Sequence, residues 1–293
     1  MSGQGFPYGA FDRLPATDVA VQGGVIHLAF APGRIDLPKP TIEEWVRRSA
    51  KAITTYYGRF PVKSARILIV PSPGAGVQGG TTWGYRGGAI RIVLGSDATE
   101  DDLRRDWVMV HEMVHLALPD MEERYAWLSE GLAVYIEPIA RVQSGDLPAA
   151  SVWSVMMRDM PKGLPGPGDR GLDNTSAWGR KYWGGAIFCL LADVQIRERS
   201  NNLLGLQDAM RAVLVAGGNH EVDWSISKVL SVADAATGLN VLTSLHDSMG
   251  SKAVRPDLEA LWLRLGLKHA SEGVEIDPTA PLASTLAAIT PIR

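Results

Sequence analysis

The sequence predicts an α+β fold, and three observations carry that prediction. Short apolar runs suited to strands are confined to about the first 95 residues. From about residue 100 onward, apolar positions recur at helical spacing instead. Glycine and proline punctuation separates the strand-like runs from one another, most densely from Gly74 to Gly88.

In chain order, Val19 to Val21 and Val25 to Phe30 flank Gln22-Gly23-Gly24 and read as a β-hairpin. The proline-rich stretch from Pro32 to Pro40 is a connector. Thr41 with Glu44 forms a capping-box pattern, which predicts a helix running to about Tyr57. Arg66 to Val70 and Ala89 to Leu94 are short apolar strands. Thr99, with Asp101 and Asp102 in the following turn, is the N-terminal cap expected for the next helix.

That helix carries Val110-His111-Glu112-Met113-Val114-His115. At 3.6 residues per turn, positions i and i+4 lie one above the other, so His111 and His115 share a face and can bind one metal ion. Zinc suits two neutral imidazoles, and a catalytic zinc keeps a water beside its three protein ligands. Glu112, next to the first histidine, reaches the water instead of the metal and is the expected general base. The pattern H-E-x-x-H on a helix is a metallopeptidase signature for those reasons.

Pro119 ends the helix, because the residue before a proline is pushed out of the α region. A second helix from about Met121 then carries Glu130 about ten residues along, which returns a carboxylate to the level of the histidines. Glu130 lies among Trp127, Leu128, Leu132 and Tyr135, where an unpaired charge is costly and a metal-bound one is not. Glu122 and Glu123, just after the turn, are rival third ligands; they also suit a solvated first helical turn.

His-Glu-x-x-His followed by Trp127-Leu-Ser-Glu-Gly-x-Ala-x-Tyr135 resembles the gluzincin metallopeptidases. Tyr182-Trp-Gly-Gly-Ala186, Leu191 to Arg197 and Leu206 to Arg211 are similar to the glycyl aminopeptidase family within that group. The resemblance spans roughly residues 60 to 267. It implies a thermolysin-like fold, with a small β-containing N-terminal lobe, a helical C-terminal lobe and the zinc helix between them. It also implies zinc held by His111, His115 and Glu130, a peptide or protein substrate, and Tyr182 as hydrogen-bond donor to the oxyanion. The alternative is that Tyr182 is a packing residue beside Trp178 and Trp183. Two features depart from the family pattern: Gly184 stands where it has lysine, and the large N-terminal β domain and the PDZ domain of longer members are not evident.

The expected organisation is therefore an N-terminal hairpin and connector, residues 1–40, before a catalytic domain, residues 41–293. An α/β lobe reaches to about 120 and a helical lobe starts at about 121. The helical segments expected there are Leu147–Met160, Ser176–Arg199, Leu203–Val215, Val222–Leu230, Val241–His246 and Pro256–Leu265. Pro161 to Asp173, with four glycines and three prolines, reads as a mobile loop leading toward Tyr182. His27, His220, His246 and His269 lack ligand spacing and read as ordinary polar or packed residues.

A net charge of -3 with 21% charged residues gives no footprint for a nucleic-acid partner. No apolar stretch reaches the ~18 residues of a membrane span, and Met1 to Thr17 shows no leader pattern. The expectation is a soluble protein, cytoplasmic, or periplasmic or secreted if a leader precedes the sequence given. Cys189 lies in an apolar run and is expected to pack. The Gly-rich stretch lacks the strand-to-helix context of a phosphate loop. It reads either as a loose hairpin connection or as the cleft edge, where Gly87, Gly88 and Ala89 would offer backbone groups to an extended peptide. Trp83 to Leu94 holds no acid to meet a free ammonium group, so cleavage within longer peptides is expected over removal of single N-terminal residues. The competing expectation is a pseudopeptidase or peptide-binding module that keeps the metal without turnover.

Overall fold

The computed structural model describes residues 8–291 apart from 12 and 272; residues 1–7 and 12, within the stretch read for a leader, lie outside the described residues. The chain divides into two compact units, one of Met1–Asp120 with Gly218–Asp223, the other of Met121–Gly217 with Trp224–Arg293.

The first unit starts with one helical turn, α1 (Tyr8–Phe11), and the expected hairpin, β1 (Ala16–Val21) and β2 (Gly24–Phe30). The hairpin is not a separate segment but part of the main sheet. After α2 (Lys39–Tyr57), β2 pairs in parallel with β3 (Ser64–Ser72), and a five-stranded sheet is completed by β4 (Val77–Trp83) and β5 (Gly88–Gly95). Its order is β1-β2-β3-β5-β4, with β4 antiparallel on the outer edge. The Gly-rich stretch is thus a real strand, not a loose connection. Central strands β3 and β5 are near-continuous apolar runs, as suits strands with residues buried on both faces, and Ile67, Ile69, Ile90 and Ile92 are fully buried.

Two predicted caps fall elsewhere. The helix α2 begins at Lys39, two residues before Thr41, capped by Pro38 with no side-chain bond; the Thr41 N–H already bonds to the Pro38 carbonyl. Pro40 in the first turn has no N–H to satisfy, which suits that position. Thr99 makes the predicted capping box with Asp102, but it opens a separate short helix, α3 (Glu100–Arg105). The histidine helix, α4 (Val108–His115), starts afresh at Asp106, whose carboxylate accepts from the N–H groups of Val108 and Met109 at 2.9 and 3.0 Å. It packs on α2, β4 and β5.

In the second unit a 3₁₀ turn, Glu123–Tyr125, delays the helix predicted from Met121, and α5 runs Ala126–Gln143. Glu130 therefore stands in its second turn, not its third. Next come α6 (Ala149–Asp159), then a π turn, Arg180–Gly184, leading straight into α7 (Gly185–Arg199). The later helices are α8 (Leu206–Val215), α9 (Ile226–Thr237), α10 (Val241–Met249), α11 (Leu258–Leu265) and α12 (Ala283–Ile289), with the small hairpin β6 (Leu267–His269) and β7 (Val274–Ile276). Ser225 caps α9 by accepting from Lys228 N–H, so this helix starts four residues later than apolar spacing suggested.

The helical unit is pinned at α5 and α7. A Cβ added at Gly131 would lie 2.3 Å from the Gly185 carbonyl carbon, so the two backbones touch. Farther along, the Tyr135 hydroxyl donates to Asp193 at 3.0 Å, and Asp193 also accepts from Arg197 at 2.8 Å and from the Leu206 N–H at 2.9 Å. A carboxylate 2% exposed is tolerable with three donors around it, one of them a paired cation. The segment from Pro161 to Asp173, expected to be mobile, is tied down: Arg180 donates to the Gly163 carbonyl at 2.8 Å and to Asp169 at 3.0 Å, while Asp173 accepts from Trp127 at 2.9 Å.

Cys189 is fully buried on α7, and burial pushes its thiol well above the ordinary range, with Asp193 adding to the effect. The thiolate is the nucleophile, so Cys189 in the folded protein should be inert to thiol reagents at pH 8 and react fully in denaturant. A colorimetric thiol titration checks this; stoichiometric labelling without denaturant would contradict the burial.

Candidate metal centre

The local fold of α4 puts its two histidines one turn apart, with ring centroids 4.9 Å apart and planes at 83°. Trp107, at the helix start, meets the His111 ring edge-on at 5.3 Å. His111 and Glu112 are 5% and 7% exposed. On α5, Glu130 joins them: one ligand-capable atom from each of His111, His115 and Glu130 lies within 4.8 Å of the other two. Three atoms so spaced leave a point no farther than about 2.8 Å from all of them, close to the ~2.0–2.2 Å of zinc bonds to imidazole and carboxylate. Two imidazoles and one carboxylate are also the donor set of catalytic zinc sites, so the residues present fit the metal.

The rivals are turned to other partners. Glu122 pairs with Arg124 at 3.1 Å, and Glu123, 90% exposed at its side chain, meets Lys181 at 3.4 Å. Neither is in the cluster, which is the only such group among the described residues.

Glu112 is held from the sheet. The Thr82 hydroxyl lies 2.6 Å from Glu112 Oε2 and 2.9 Å from the Glu112 carbonyl oxygen. At Gly80, two residues earlier on β4, an added Cβ would sit 2.5 Å from Glu112 Cγ and 2.8 Å from Oε1. A residue larger than glycine there would displace the carboxylate. Neither contact is legible in the sequence, because the strand and the helix are about 30 residues apart along the chain.

His220, expected to be an ordinary polar residue, also comes here. Its backbone N–H bonds to the Leu116 carbonyl at 3.2 Å, and its ring bonds to the backbone of Leu118 and Thr82. Burial lowers its imidazole below the ordinary value, His115 adds to that, and Asp120 opposes it. Gly84 makes room for this loop, since a Cβ there would collide with the His220 carbonyl. Of the other histidines, His246 pairs with Asp173 at 3.0 Å and stacks on Trp127.

Tyr182 stands in the middle of the π turn, its ring stacked on Trp178 with centroids 5.2 Å apart and planes at 23°. The Gly131–Gly185 contact sets this turn beside the turn of α5 that bears Glu130. Gly184 has a local reason: an added Cβ would lie 2.9 Å from the buried Arg180 guanidinium and 3.1 Å from the Gly163 carbonyl, leaving no room for the lysine of the family pattern.

Gly88 and Ala89 are not at an edge. Both begin β5: Ala89 pairs with Arg66 on one side and Trp83 on the other, and Gly88 pairs with Ala65, while Gly87 precedes the strand, its N–H bonded to the Gly84 carbonyl at 3.1 Å. The Gly88 N–H faces Glu221 at 3.3 Å, an acid that the 218–223 loop brings to this stretch. The two edges of the sheet are β1 and β4, and β4 is the one next to β5.

No family model matches the chain, and no curated protein matches it. Solved structures do. An aminopeptidase N family protein from Idiomarina loihiensis superposes with TM-score 0.65 at 16% identity, over 87% of this chain and 49% of that one. An M1 zinc metallopeptidase from Deinococcus radiodurans gives 0.52 at 16% identity, over 82% and 52%. A two-domain M1 zinc metallopeptidase variant bound to L-arginine gives 0.54 at 15%, over 83% and 52%. The chain thus shares their fold and spans about half the length of each.

The α5–α7 contact has a measurable consequence. In an open helix Gly→Ala is stabilising by up to about 1 kcal/mol, but a methyl added at position 131 meets backbone, which cannot move aside cheaply. Gly131→Ala should lose about 1–3 kcal/mol in denaturant unfolding and bind zinc more weakly by calorimetry. A gain in stability would show that the helices do not touch there.

Proposed function

We propose that this protein is a zinc-dependent peptidase, and the observation that carries the reading is the convergence of His111, His115 and Glu130 to within 4.8 Å, with buried Glu112 beside them. Those three residues would hold the metal, with Glu112 and Tyr182 as the catalytic side chains. Bound zinc would supply Lewis acidity and lower the pKa of a water toward about 7. Glu112 takes the proton of the attacking water and returns it to the leaving amine. Tyr182 donates a hydrogen bond to the oxyanion. The fold of M1 zinc metallopeptidases supports this reading, as does the sequence likeness to gluzincins and, within them, to glycyl aminopeptidases.

For the substrate, the outer edge of β4 takes over the role expected of Gly87 to Ala89, since only an edge strand has backbone groups to pair with a peptide. Its sequence, Val77 to Trp83, contains no acid. That supports cleavage within longer peptides, although one solved neighbour carries a Tyr-Ser-Ala substrate.

Incubating a peptide mixture, half of it N-acetylated, with the zinc-loaded wild type should give internal cuts in both halves by mass spectrometry. Glu112→Gln should keep its zinc and cut about 10²- to 10⁴-fold more slowly. His111→Ala, His115→Ala and Glu130→Ala should each lose zinc by elemental analysis, whereas Glu122→Ala and Glu123→Ala should retain it. A zinc-loaded wild type that cuts nothing would leave a metal-binding module without turnover. Stepwise N-terminal trimming that spares acetylated peptides would make it an aminopeptidase.

Tyr182→Phe separates catalysis from packing. The phenyl ring keeps the stack on Trp178, so kcat and kcat/KM should fall together, about 10²- to 10³-fold, with KM unchanged. Unimpaired kcat would assign Tyr182 to packing.

A further inference from the structure

We infer that Thr82 is a positioning residue for Glu112, fixing which carboxylate oxygen faces the reacting water; this rests on the peptidase reading above. A glutamate on a helix has three side-chain torsions, and a general base displaced by an ångström is a poor one. The strand beside α4 removes that freedom. Residues 80 and 82 lie on one face of β4, since side chains alternate along a strand, and that face meets Glu112 twice. The Thr82 hydroxyl binds Oε2 at 2.6 Å, the short distance of a charge-assisted O–H···O⁻ bond. Gly80 leaves space against Oε1, where any Cβ would stand 2.8 Å away. One oxygen is therefore anchored, and the other has a glycine instead of a side chain beside it.

The second distance matters as much. One hydroxyl proton serves one acceptor at a time, and the Glu112 carbonyl oxygen is the alternative at 2.9 Å. Both acceptors belong to Glu112, so whichever one the hydroxyl serves, Thr82 stays against the same residue. A valine at position 82 would leave the carboxylate unheld. The strand, too, is held in place, because the His220 ring bonds to the backbone of Thr82.

Thr82→Val and Thr82→Ser test this. Valine matches threonine in shape and suits a strand, so it removes the hydroxyl alone; serine keeps the hydroxyl. Thr82→Val should lower kcat about 10- to 100-fold with KM and zinc content unchanged, and its crystal structure should show the Glu112 carboxylate rotated away from position 82. Thr82→Ser should recover most of the rate and the wild-type rotamer. A Thr82→Val protein with an unmoved Glu112 carboxylate overturns the inference, as does equal loss of kcat in both variants. The rotamer is read whether or not the wild type cuts peptides, so failure of the peptidase reading and failure of this positioning role give different results.

Discussion

The helical unit depends on one contact between backbones. Gly131 and Gly185 stand where α5 and α7 cross, and each lacks the side chain that would hold the helices apart. Close approach at that point is what lets the Tyr135 hydroxyl reach Asp193 and lets Trp127 pack edge-on against Phe188, with centroids 5.1 Å apart. It also sets two of the candidate site residues at the crossing. The residue before Gly131 is Glu130, and the π turn bearing Tyr182 ends at Gly184, one residue before Gly185. A π turn costs helical hydrogen-bond geometry and is found mostly at functional positions. Here it is followed at once by the residue that must touch α5.

In the sheet unit the corresponding constraint is the fit of α4 on β4. Glu112 is a buried polar group, and the strand meets it with a hydroxyl that donates to its carboxylate and with a glycine that leaves it room. The same strand lies on the free edge of the sheet. An exposed edge is a liability unless something pairs with it or blunts it, and β4 carries a register irregularity between Val77 and Gly79 that interrupts its ladder with β5. The edge position, the hydroxyl that meets Glu112 and the glycine that makes room for it are three properties of one seven-residue strand.

How much the sequence makes legible depends on the range of the interactions involved. The pair His111 and His115 is fixed by helical periodicity, and the hairpin, β3 and β5 by local apolar runs; all of these are short-range. Glu130 has rivals in the sequence, because choosing among three acids needs the position of the second helix, and the 3₁₀ turn at Glu123 shifts its start. Thr82, Gly80 and His220 are invisible there as partners, since their contacts join segments brought together only by sheet order and by the 218–223 loop. The misplaced edge has the same origin. Apolar spacing shows that β5 is a strand, but its neighbours on both sides are set by topology. Caps are misplaced where two acceptors lie close in sequence: Thr99 has its box, yet Asp106 a few residues later takes the first N–H groups of the histidine helix.

The loop holding His220 makes the first unit discontinuous in sequence. The chain leaves that unit after Asp120, returns for Gly218–Asp223, and leaves again, so three peptide links join the two units. A fragment ended at Asp120 would contain both histidines and Glu112, but it would lack the six residues whose imidazole and carbonyl close over Thr82, Leu118 and Gly84. No single cut after Asp120 therefore isolates the sheet unit, because the segment that completes it follows nearly 100 residues later in the chain.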